Sequence, residues 1–151
     1  MIDNTDILLD LLLFSVCGVH FGVDAEQVTG IEVYDGDQAD DLYWFHEELD
    51  YGAGATTYIT PMVVSIRTGG VKPYRVIIDS MEDIAEFSVS DIQLFPALLS
   101  NFALKRGLWG ILPLQGRMIL LVDFMLLLKE RRADTTAMEP EQIVSCNDVP
   151  T

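Results

Sequence analysis

Apolar residues in this chain come in short runs that glycine, proline and carboxylate residues interrupt, a pattern typical of strands joined by tight turns. Gly18 follows the first run, Gly69-Gly70 separates the next pair, and Gln115-Gly116 separates the last pair. Glycine suits such turns because it adopts positive φ without a steric penalty. The runs that we predict as hairpin strands are residues 7–16, 62–66, 74–78, 108–114 and 117–122.

Five further segments carry helical or polar signals. Residues 25–34 predict a short helical turn that runs into another strand, and residues 88–93 predict a short helix with a serine cap. Residues 94–107 fit either a loop or a helical crossover. Residues 123–132 predict a helix, since an aspartate opens it and basic residues close it as the helix dipole favours. Residues 133–151 are polar, and we expect them to form a flexible tail.

The predominance of short strands predicts barrels or a sandwich in a single folded unit. Half of the 151 residues are hydrophobic, which excludes a disordered chain. Carboxylates interrupt the longest apolar runs, so none reaches the roughly 20 apolar residues of a membrane helix. The chain has two cysteines and no basic N-terminal region, so we expect a cytoplasmic protein without disulfides.

Charge is distributed unevenly along the chain. Residues 1–66 contain thirteen Asp and Glu and neither Lys nor Arg, whereas the remainder contains eleven acidic and nine basic residues. The net charge of −15 argues against nucleic acid and anionic membranes as partners, because phosphates would be repelled. The acidic first part fits either a basic protein partner or a solvated surface that only keeps the protein soluble.

Cysteine and histidine offer few candidates for chemistry. Cys17 and His20 flank a turn and could act as nucleophile and base, or as two metal ligands. Only His46 and Cys146 could extend that set, so we favour turn residues without chemistry. His46 precedes two glutamates, which fits a metal site less well than a solvated acidic edge. We therefore predict no metal, no cofactor and no enzymatic activity.

Three aspartates follow apolar strands at Asp24, Asp79 and Asp123. Paired carboxylates can perform acid–base catalysis, but aspartates just past strands are more often turn formers or helix caps. We favour the structural role, and catalysis by a carboxylate pair is the alternative.

Three stretches resemble the CheW-like domain family, the adaptor module of bacterial chemosensory arrays. The segment "WGILPLQGRMILLVDFMLLL" (109–128) is similar to the family's closing hairpin and Leu-rich helix, with Gly110, Gly116, Arg117 and Asp123 at the matching places. The segment 74–96 is similar to a strand, aspartate, strand and "D-I" turn. The segment 11–34 is similar to the first hairpin and helical turn.

The resemblance implies an all-β fold of two intertwined SH3-like five-stranded barrels, the first either complete or truncated, with a short C-terminal helix in a domain of residues 1–132. It also implies a non-catalytic adaptor that binds a CheA-like histidine kinase, a methyl-accepting chemotaxis receptor, or both. One barrel would contact the kinase, and an apolar groove between the barrels would contact the helical hairpin tip of the receptor. Ordinary barrel core is the alternative role for the apolar members of the groove. The candidates for partner binding are Ile31, Glu32, Val33, Val76, Ile78 and Ile84.

The chain departs from the family pattern in its middle. The family's Asn-x-Arg-Gly motif, which belongs to its partner-binding surface, has no counterpart, and an acidic segment at 35–52 replaces a longer region. Kinase or receptor coupling therefore competes with a second hypothesis, a structural protein that self-associates through an edge left unpaired by the shortened middle.

Overall fold

The structure is a computed structural model that describes residues 7–50, 57–70 and 73–128. These residues form strands in two sheets, two short helices, and the start of a C-terminal helix. The strands are β1 (Leu8–Val16), β2 (Val19–Asp24), β3 (Val28–Val33), β4 (Leu42–Trp44), β5 (Met62–Ile66), β6 (Tyr74–Ile78), β7 (Ile84–Ser88), β8 (Leu108–Leu114) and β9 (Arg117–Val122). The helices are α1 (Phe45–Glu48), α2 (Ala97–Lys105) and the helical residues 124–128.

One sheet has five strands in the order β7-β1-β2-β9-β8, all antiparallel neighbours except the parallel pair β2 and β9. A one-turn 3-10 helix (Val89–Asp91) follows β7 and brings Gln93 beside Ile111 of β8. Gln93 and Ile111 exchange two backbone hydrogen bonds of 2.8 Å, which link the two edges of the sheet. The sheet thereby closes into a small barrel filled by aliphatic side chains, among them Leu11, Leu121 and Ile119.

The second sheet has four strands in the order β3-β5-β6-β4. β5 pairs antiparallel with β3 and β6, and the short β4 runs parallel to β6. The all-β expectation with a short C-terminal helix is confirmed. In the described ranges this sheet has four of the five strands that the resemblance implied for each barrel.

A shared apolar core joins the two sheets. Phe14 and Phe21 project from the five-stranded sheet, and Phe45 of α1 packs edge-on against them with ring centroids 5.0 and 4.7 Å away. β6 contributes Val76 and Ile78, both fully buried. Aromatic and aliphatic side chains of both sheets therefore bury one another, which fixes the sheets face to face.

The predicted turns at Gly18 and Gly116 and the predicted serine cap are confirmed. Gly18 and Gly116 occupy the two-residue turns of the β1–β2 and β8–β9 hairpins with φ of 79° and 80°. Ser88 accepts the backbone N–H of Ser90 and so caps the short 3-10 helix. Residues 94–107 contain α2, which selects the helical crossover over the loop. The end of the C-terminal helix and the tail at 133–151 lie outside the described residues.

Candidate docking surfaces

Cys17 and His20, the candidates for a nucleophile and its base, occupy structural positions. Cys17 is an exposed thiol with φ of 54° in the first hairpin turn. His20 Nδ1 lies 3.5 Å from the Glu82 carboxylate and 3.3 Å from Arg117, which itself contacts Glu82 at 3.2 Å. His20 therefore belongs to a charged contact at one end of the barrel, and no hydrogen bond joins it to Cys17 in the described ranges.

His46 also has a structural role. Its backbone N–H donates to the hydroxyl oxygen of Tyr58 at 3.2 Å, and its ring Nδ1 lies 3.0 Å from the same oxygen. Burial of the Tyr58 hydroxyl raises its pKa above the ordinary value of 10.0. Among the described residues, no group of three or more His, Cys, Asp or Glu is arranged to hold a metal ion.

The three strand-end aspartates act as caps and loop anchors. Asp24 accepts the backbone N–H of Glu26 at 2.9 Å, and Asp123 accepts two backbone N–H groups in the first turn of the C-terminal helix. The buried Asp79 accepts the backbone N–H groups of residues 59–60. The geometry therefore supports the structural role, since backbone N–H groups donate to all three carboxylates, locally at Asp24 and Asp123 and from a distant loop at Asp79.

The six residues predicted for partner binding divide into two groups. Val33 is 71% exposed, Ile84 is 53% exposed, Ile31 is 37% exposed, and Glu32 is also exposed. Val76 and Ile78 are fully buried between the sheets, so their place among the partner contacts is corrected to barrel core. The exposed members lie on β3 and β7, which are edge strands of the two sheets.

Glu32 of β3 and Asp37 of the following loop are acidic residues close enough to act on Arg75 of β6. Arg75 forms a two-pronged ion pair with Asp41, with N–O distances of 2.9 and 3.0 Å. The hydrogen bond to Asp41 raises the pKa of Arg75, and the carboxylates of Asp37 and Glu32 add to that shift. Asp41 already neutralises Arg75, so the charges of Glu32 and Asp37 are not paired with this arginine.

A second apolar surface lies beside α2 and was missed by sequence reasoning. A cleft of about 400 Å³ is floored by the outer face of the five-stranded sheet and walled by α2 and the turn after α1. At its mouth, Arg106 lies 3.7 Å from Asp50 and 3.9 Å above the Phe102 ring. Its lining residues are Val19, Phe21, Leu49, Asp50, Phe102, Arg106, Leu108 and Leu120.

The cleft continues onto the outward face of α2. Leu98 is 93% exposed, Phe102 is 59% exposed, and Leu99 is 50% exposed. The spacings of three and four residues place all three side chains on neighbouring positions of the helix. The alternation of apolar residues at 19, 21 and 23 indicates the strand face that forms the floor of the cleft. Nothing local in the sequence indicates that the leucines of α2 are exposed.

Comparisons with known proteins identify the fold. No family model matches the sequence, and no curated protein matches it. The solved structure of scaffolding protein TtCheW from Thermoanaerobacter tengcongensis superposes with a TM-score of 0.61 at 13% sequence identity. The match covers 80% of this chain and 92% of that chain. The chain therefore has a CheW-like fold, which confirms the fold that the resemblance implied. No helix in the described part of the chain is long and apolar enough to cross a membrane.

Proposed function

We propose that this chain is a non-catalytic cytoplasmic adaptor of a chemosensory system that binds a CheA-type histidine kinase, a methyl-accepting chemoreceptor, or both. The CheW-like fold supports this assignment, because the structural neighbour is described as a scaffolding protein. The observation that carries it is the exposure of aliphatic side chains on edge strands, above all Val33 and Ile84. Binding is favoured when a partner buries exposed aliphatic groups, because this removes apolar surface from water.

Docking uses Ile31, Glu32 and Val33 on β3 together with Ile84 on β7. Full burial of an aliphatic side chain contributes about 1.5–3 kcal/mol, so these residues supply a small set of anchors rather than a large interface. Glu32 and the neighbouring carboxylates set the orientation and the association rate of a basic partner.

The test is a pull-down from the native cells with tagged wild-type protein and two variants. Val33→Lys and Ile84→Lys together place charges where aliphatic anchors are needed, whereas Met118→Lys alters a similarly exposed residue on β9. We expect wild type and Met118→Lys to recover a CheA-like kinase or a chemoreceptor, and the double variant to lose it. Recovery of neither protein by the wild type, from cells that express both, contradicts the proposal.

Self-association is the second candidate function, and the open edge of β3 favours it. In the described ranges, β3 pairs only with β5. An unpaired edge strand can pair with the same strand of another copy. Light scattering over a range of concentrations distinguishes the candidates, since a concentration-independent monomer excludes self-association.

A further inference from the structure

In the part of the chain that the structure describes, the backbone of β3 presents two residues to an edge with no neighbouring strand. Tyr34 N–H donates to Pro61 O at 3.2 Å and Arg67 N–H donates to Gln27 O at 2.7 Å, which fixes the side of β3 that bonds to β5. Antiparallel strands alternate between residues whose backbone groups face the partner and residues whose groups face away. By that alternation, Ile31 and Val33 direct their N–H and C=O groups away from β5, where no residue of the described ranges pairs with them.

The side chains of the same strand alternate between two faces. Ile31 lies opposite the buried Val64, and Val33 lies opposite Met62, so both belong to the face that packs against the other sheet. Glu32 is exposed and lies opposite the buried Val63 on the other face of the sheet. An added strand would therefore place alternate residues beside Ile31 and Val33, and the intervening residues beside Glu32.

We propose that β3 binds an extended segment of a partner protein by strand addition, and that this segment alternates aliphatic residues with Lys or Arg. The four outward backbone groups of Ile31 and Val33 would supply the hydrogen bonds, and their side chains would bury the aliphatic residues. This inference rests on the proposed function, since it specifies how the β3 residues dock and what chemistry they select.

Charge favours a basic partner strand over a second copy of the chain as the occupant of the β3 edge. Each molecule carries a net charge of −15, and residues 1–66, which include β3, carry no Lys or Arg. Two such edges would meet against strong mutual repulsion, whereas a basic strand would be attracted. The four-stranded sheet with its open edge thus accepts a fifth strand of opposite charge.

The test uses synthetic peptides with blocked ends. The probe has the sequence TKVKIKVKT, and its matched controls are the acidic TEVEIEVET and a form of the probe with N-methyl groups on the backbone of its valines and isoleucine. Affinities are measured for the whole chain, for Ile31→Pro and Val33→Lys, and for the control Met118→Lys. Ile31→Pro leaves the β3–β5 ladder intact because the N–H of residue 31 faces outward.

We expect the probe to bind the wild type and Met118→Lys, with binding that weakens as salt is added. Both control peptides and both β3 variants should reduce affinity by about tenfold or more. Binding that is indifferent to N-methylation or to Ile31→Pro overturns the proposal, as does equal binding of the acidic peptide or no binding of the probe. A concentration-dependent dimer that Ile31→Pro abolishes, without peptide binding, identifies a second copy as the occupant and also overturns it.

The experiments distinguish failure of the strand-addition proposal from failure of the proposed adaptor function. If Ile31→Pro still recovers a kinase or receptor from cells, strand addition is wrong and the adaptor function stands. If the wild type recovers neither but binds the probe through β3, the strand-binding edge stands and the chemosensory assignment fails. Unchanged circular dichroism and thermal midpoint verify that Ile31→Pro is folded, and the exposed Val33→Lys provides the same test without a backbone change.

Discussion

Replacing Gly110 with alanine is expected to weaken the closure of the five-stranded barrel. A Cβ atom at this position would lie 2.8 Å from Cγ2 of Ile92 and 3.3 Å from the carbonyl oxygen of Gln93. Both neighbours belong to the segment that pairs with β8 through the two hydrogen bonds between Gln93 and Ile111. The methyl group therefore pushes outward the segment that links the edges of the sheet.

The size of the effect follows from these contacts. Overpacking of a close contact costs about 1–3 kcal/mol, and each backbone hydrogen bond that is lost adds about 1 kcal/mol. We expect Gly110→Ala to lower the free energy of unfolding by about 2–4 kcal/mol. Urea unfolding followed by circular dichroism measures it, and amide exchange of Gln93 and Ile111 should accelerate.

A double-mutant cycle gives the control. Ile92→Ala removes the Cγ2 atom that the new methyl group would meet, so the double variant should lose clearly less stability than the two single variants combined. A stability of Gly110→Ala equal to wild type, or additive losses within about 0.5 kcal/mol, would show that the close approach of Gly110 and Ile92 does not limit the barrel.

Three further predictions concern the core and the charged contacts. Phe45→Ala should cost about 3–5 kcal/mol in urea unfolding, because this fully buried ring joins both sheets, and a loss below about 1 kcal/mol would contradict that role. Asp79→Ala should cost about 3 kcal/mol, because two backbone N–H groups lose a charged acceptor, and unchanged stability would show that water replaces it. The hydrogen bond from Arg75 lowers the pKa of Asp41 below 3.8, so the stability that this pair contributes is present above that pH and is lost as the pH falls through the lowered value. Asp41→Asn should therefore lower the thermal midpoint at neutral pH, and the difference from wild type should shrink in acid, whereas a constant difference would refute the linkage.

Local signals in the sequence predicted most strands and turns. The hairpin at Gly18 and the hairpin at Gly116 were predictable because a glycine at positive φ and the flanking apolar runs act within a few residues of each other. The helix that follows Asp123 was predictable for the same reason, since capping is a local interaction. The short β4 was missed, because three residues in an acidic segment carry no periodicity.

Surface exposure was not predictable from alternation. Ile31 and Val76 occupy similar apolar positions in their strands, yet β6 lies in the interior of its sheet and β3 at its edge. The cleft beside α2 depends on β2 and β9, which pair in parallel although Phe21 and Leu120 are far apart in the chain. Such placements follow from the order of strands in a sheet, and that order is set by long-range packing rather than by local sequence.

Docking through the edge of β3 is tested most directly by photo-crosslinking in the native cells. A photoreactive phenylalanine analogue replaces Val33 in one variant and the similarly exposed Met118 in another, and mass spectrometry identifies the attached proteins. We predict that position 33, and not position 118, attaches to a CheA-type kinase or a chemoreceptor through a strand of alternating aliphatic and basic residues. Attachment of neither protein at position 33 in cells that express both, or equal attachment at the two positions, would contradict docking at this edge.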